Sequence, residues 1–138
     1  MYDAASLKVI CMTLTDKSAG VHPWQWDDRF DAALVSFPAA QASRVETLLK
    51  PLFSNQWDVR TIRQAPETAR RVATDLGLRP EQRLYFTDPG QPAALFGAWW
   101  PWGNGQTVSL RVGITAADHL NDGELAALAA DFKSWFGV

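Results

Sequence analysis

Trp99 and Trp100 are adjacent inside an apolar run over residues 93–102, and a second apolar stretch, Val108, Leu110, Val112 and Ile114, follows across Gly103-Asn104-Gly105. Two β-prone runs separated by a glycine-rich turn read as an antiparallel hairpin. In an extended strand successive side chains point to opposite faces, so the two indoles lie on opposite sides of whatever sheet this hairpin joins. One core layer therefore holds only one of them, and the other needs a second layer, a loop or another molecule. The second arm alternates its apolar residues with Thr107, Ser109, Arg111 and Gly113, which predicts one solvated face. Pro101 predicts an edge position or a bulge in the first arm.

The rest of the chain supplies elements to pack on such a hairpin. Residues 7–14 are β-rich, with apolar residues on both alternating faces, and read as a central strand, and residues 15–30 read as a long loop carrying Trp24 and Trp26. Residues 32–37 predict a second strand, followed by a helix that opens at Pro38 with Val45, Leu48, Leu49, Leu52 and Phe53 at one-face spacing and either kinks or ends near Lys50, because Pro51 interrupts the pattern. Residues 57–62 alternate as a third strand. A helix then begins at Pro66-Glu67, with Ala69, Val72, Ala73 and Leu76 as its apolar stripe and Gly77 as its left-handed stop. Residues 82–87 read as a strand ending in the turn Asp88-Pro89-Gly90. A last helix starts at Asn121 or Asp122, with Glu124 completing a capping box and Leu125, Leu128, Ala129, Phe132 and Phe136 facing inward.

The expected fold is α+β: a single-layer mixed sheet of about six strands with three helices packed on it, in the order β-β-α-β-α-β-β-β-α, within one globular domain over residues 1–138. The length suffices for a real core without staples, and 47% hydrophobic with 20% charged residues is a globular composition. Cys11 is the only cysteine, which excludes an internal disulfide and a zinc site built from several thiolates. It sits in the run Val9-Ile10-Cys11-Met12 and reads as a core residue. No apolar run approaches a membrane span, and a cytoplasmic location is the expectation.

The net charge is −2, and the six arginines within residues 54–85 alternate with Asp58, Glu67, Asp75 and Glu81. Nucleic-acid binding requires cations gathered on one face, so no nucleic-acid partner is expected. His22, near Asp27 and Asp28, and His119, beside Asp118, are the only imidazoles, and neither has the spacing of a metal site. No catalytic residue, metal ligand or cofactor is assigned. Parallel middle strands would bring Ser36, Arg63, Gln64, Thr87 and Asp88 to one sheet edge, where a small polar enzyme site is the alternative reading. The strand-to-helix turns there contain no glycine to admit a phosphate.

Residues 76–88, from Leu76-Gly77-Leu78 to Phe86-Thr87-Asp88, resemble the helix-to-strand segment before the late acidic motif of haloacid-dehalogenase-like phosphatases. That family's nucleophilic Asp-x-Asp has no counterpart, because Leu14-Thr15-Asp16 supplies one carboxylate, so the resemblance carries over neither activity nor magnesium.

Seven tryptophans remain as the most unusual feature. Indole suits interface anchoring, cation recognition and sugar stacking. The leading expectation is a non-enzymatic binding or protein-interaction domain that uses Trp24, Trp26, Trp99, Trp100 and Trp102, with a protein partner or a second copy of the chain as a homodimer. The further alternative is a carbohydrate-stacking module, which predicts two exposed, roughly coplanar indoles.

Overall fold

The computed structural model describes residues 4–18, 23–116 and 121–138 of the chain. Its ten principal elements are α1 (Ala4–Ser18), β1 (Gln25–Asp27), β2 (Ala32–Pro38), α2 (Ala42–Leu49), β3 (Asn55–Trp57), α3 (Glu67–Leu76), β4 (Arg83–Phe86), β5 (Ala93–Pro101), β6 (Thr107–Ala116) and α4 (Asp122–Phe136). The fold is α+β, with one six-stranded sheet in the order β1-β2-β6-β5-β4-β3. Every strand pairing in it is antiparallel. The helices number four among the described residues where the sequence predicts three.

The extra helix replaces the predicted first strand. Residues 7–14 belong to α1, which buries Leu7, Cys11 and Leu14 at helical spacing while Val9 and Met12 face outward, 63% and 51% exposed. A helix with apolar residues on its outer face has lost the one-sided pattern that identifies amphipathic helices, so the run imitates a doubly covered strand. Thr13 and Thr15 donate their hydroxyls back to the carbonyls of Val9 and Met12, the local bond by which threonine is accommodated within a helix. The long loop shortens accordingly, since α1 reaches Ser18 and residues 25–27 form β1. Neither His22 nor His119 lies among the described residues.

Other boundaries follow the sequence more closely. Pro38 closes β2 and precedes a short 3₁₀ turn, Ala39–Gln41, before α2 begins. The predicted third strand shifts upstream to residues 55–57, because Asp58 turns the chain by accepting the backbone N–H groups of Arg60 and Thr61 on its Oδ1. The stop of α3 is as expected: Gly77 adopts φ +72°, and the N–H groups of Gly77 and Leu78 both return to the Ala73 carbonyl. Asn121 and Glu124 form the reciprocal capping box of α4. Leu125 and Ala129 are exposed instead of inward, and the buried stripe of α4 is Leu128, Phe132 and Phe136.

Pro101 occupies a local edge position, without a bulge, at the end of an otherwise interior strand. It pairs with Val108 near the end of the interior strand β5, beyond Trp99, where the pairing of β5 with β4 stops at Arg83. Its missing N–H thus interrupts no ladder.

The sheet has a core on each side. On the first face α1, α2 and α4 cover Val35, Phe37, Tyr85, Leu95, Trp99, Leu110 and Val112. On the second, α3 lays Ala69, Val72 and Ala73 over Leu84, Phe86, Ala94 and Phe96. Burial on both sides explains the unbroken apolar reading of β5 from Ala93 to Trp99. The part of the second face built from β1, β2 and β6 remains open, and partly exposed side chains line it.

Candidate functional site

Register places the site residues. Gln25 pairs with Leu34, Leu34 with Arg111, Ser36 with Ser109, and Ser109 with Trp100. Cross-strand partners share a face, so these side chains form one patch on the second face. Trp102 follows directly on β5, and its backbone N–H donates to the Thr107 carbonyl at 2.8 Å. Its indole folds across the same face, and Nε1 donates to Ser109 Oγ at 2.7 Å. Ser109 is buried, and its hydroxyl is 2.9 Å from that of Ser36. Trp102 is nevertheless 49% exposed.

Beside this chain of hydroxyls lies a charged and aromatic stack. Arg111 Nε donates to Asp27 Oδ2 at 2.7 Å. The guanidinium lies over Trp100, 4.4 Å from the ring centroid, and 5.4 Å from that of Phe30. Phe30 meets Trp100 edge-on at 5.3 Å. Burial pushes the Asp27 carboxyl upward. The Arg111 hydrogen bond, the backbone N–H of Arg29 and the charges of both arginines outweigh that effect and hold it below the usual aspartate value. The carboxylate is thus held ionised by its partners and is a poor proton acceptor.

Beyond Ser36 the face opens into a groove of about 440 Å³ lined by Pro23, Gln25, Leu34, Ser36, Phe37, Pro38, Gln106 and Thr107. None of these residues carries a charge. The patch as a whole presents an exposed indole, apolar seats and neutral hydrogen-bonding groups. Its two serine hydroxyls bond to each other and to Trp102, with no base in that network. Among the described residues no cluster of three or more His, Cys, Asp or Glu is placed to hold a metal ion.

The five tryptophans singled out by the sequence do not converge. Trp24 and Trp26 pack on the first face, against Phe136 at 4.8 Å and Phe132 at 6.1 Å. Trp99 is buried in the same core, 1% exposed and 5.5 Å from Phe37. Trp100 and Trp102 alone among them reach the open half of the second face, and the ring that meets Trp100 is Phe30. Two coplanar exposed indoles are not formed, because Trp100 is half-buried beneath Phe30 and Arg111.

The polar site expected at the strand ends does not assemble. The antiparallel order β2-β6-β5-β4 points β2 and β4 in opposite directions, so Ser36 and Thr87 lie toward opposite ends of the sheet. Thr87 is buried, and its hydroxyl accepts from the Leu95 N–H. Asp88 serves its turn by accepting from the Gly90 N–H at 2.9 Å. Sequence reasoning missed Asp27, Phe30, Gln25 and Leu34 as members of the open face. The alternation of Thr107, Ser109 and Arg111 signalled that such a face exists, but no local pattern names the strand beside β6. Comparison with family models, with curated proteins and with solved structures finds no match for this chain.

Proposed function

We propose that this chain is a non-enzymatic binding domain whose recognition surface is the open half of the second sheet face, with a protein as its partner and Trp102 as the anchor. The observation that carries this reading is the fixed, exposed indole of Trp102. An exposed tryptophan ordinarily gives up side-chain freedom when a partner covers it, at a cost of about 0.5–1.5 kcal/mol. Here the hydrogen bond to Ser109 has already restricted the ring, and the polar edge is satisfied from within. A partner that covers the ring gains apolar burial without stranding the N–H. Trp102, Trp100, Phe30 and Arg111 are also the residue types that dominate interface energetics.

The test is a fragment screen followed by two-dimensional NMR on the isotopically labelled chain. Small organic probes accumulate where binding energy is concentrated, so their shifts should converge on Trp102, Ser36, Gln25 and Arg111. Convergence on another surface, or scatter over the whole molecule, would refute the proposed surface.

A further inference from the structure

Resting on the binding reading above, we infer that the ligand of this face is an uncharged, proline-rich peptide segment in the extended left-handed polyproline conformation. The groove and Trp102 dictate four properties of what fits. First, the lining is wholly uncharged, so a charged ligand would lose hydration without gaining a partner. Second, the Trp102 N–H is committed to Ser109, so the exposed ring offers a π surface and no donor. Its complement is a C–H-rich saturated group, and the prolyl ring is one.

Third, the groove places Gln25, Ser36, Gln106 and Thr107 around the apolar residues Pro23, Leu34 and Pro38. A polyproline helix presents bare carbonyls between its rings, and neutral side-chain donors beside apolar seats match that alternation. Fourth, the groove crosses β1, β2 and β6 obliquely, from Gln25 opposite Leu34 to Thr107 opposite Pro38, two inter-strand spacings across and four residues along, or about 16 Å. A polyproline helix advances about 3.1 Å per residue, so about five residues span from Gln25 to Thr107, and Trp102 adjoins that path through its bond to Ser109, which meets Ser36 of the groove.

The shallow form of the site favours the same answer. An open groove buries little area, so measurable affinity depends on low ordering cost in both partners. Trp102 is fixed by Ser109, and a polyproline segment is stiff before it binds. Ser109 is accordingly a positioning residue: it touches the anchor and not the ligand.

The experiment is an NMR titration of the full chain with acetylated, amidated decaproline, alongside an uncharged glycine-serine decapeptide and the neutral oligosaccharide maltohexaose. Decaproline should produce saturable shifts of the Trp102 indole N–H and the Gln25 and Gln106 side-chain amides, and the glycine-serine peptide none. Trp102→Ala should weaken decaproline binding at least about tenfold. Ser109→Ala should weaken it a few-fold while increasing the mobility of the Trp102 ring. Met12→Ala, which truncates a comparably exposed side chain on α1, should leave it unchanged. The inference is overturned if maltohexaose alone moves these signals, if they broaden with protein concentration without ligand, or if decaproline moves nothing. Fragments that still converge on the face in those cases would leave the binding reading intact; fragments that do not would remove both.

Discussion

Asp27 divides its carboxylate between two tasks: Oδ1 accepts from the Arg29 N–H at 3.0 Å within the β1–β2 turn, and Oδ2 accepts from Arg111 at 2.7 Å. Asp27→Asn keeps an acceptor for the turn and removes the charge opposite a half-buried guanidinium, so a loss of about 1–3 kcal/mol is expected at neutral pH. The folded-state pKa lies below the unfolded one, so this stabilisation is present above the unfolded value, about 3.9, and disappears as pH falls through the folded value. Urea unfolding of both proteins at pH 7 and at about pH 3 checks this, and a gap of equal size at both would contradict it. Cys11 poses a different residue-scale question. Burial pushes its thiol up to about 12, so it should resist an aromatic disulfide reagent at pH 8 and react only when denaturant opens the chain. Its core position was legible although its secondary structure was not, because a cysteine within an apolar run is buried in either a strand or a helix.

At the scale of elements, local rules succeeded where a single residue carries the signal. The αL stop at Gly77 and the capping box at Asn121 are such cases, and Asn121→Ala should lower stability by about 1 kcal/mol in thermal unfolding. They failed at α1, where Val9 and Met12 conceal the helical stripe of Leu7, Cys11 and Leu14. The β5–β6 hairpin was legible from its glycine turn, yet one of its strongest couplings was not. Phe96 lies across Gly113 on the second face, and a Cβ on that glycine would stand 2.2 Å from the Phe96 ring. Gly113→Ala should therefore cost about 1–3 kcal/mol by overpacking. Part of that cost should return in a Phe96→Leu background, and a double-mutant cycle that finds the two sites additive would exclude the steric coupling.

At the scale of the whole molecule, Trp99 belongs to the first-face core and Trp102 to the open face proposed for recognition. Trp99 is sealed under α1, α2 and α4, and Trp99→Ala should cost about 3–5 kcal/mol. Trp102→Ala should cost about 1 kcal/mol or less, chiefly its Ser109 hydrogen bond, while weakening the proposed binding at least about tenfold. Chemical denaturation of the pair measures that division, and equal losses would place Trp102 in the core instead. Legible in the chain alone were the α+β class, the hairpin, both ends of α3, the start of α4, and the fact that Trp99 and Trp100 part company. Each is a short-range property, set by side-chain alternation, turn residues and caps within a few positions of one another. Packing settled that the sheet is antiparallel throughout, that β2 stands beside β6, that three helices lie on one face and one on the other, and that Asp27 meets Arg111. Those are pairings between segments far apart in the chain, selected by which surfaces bury one another, and no local periodicity encodes them.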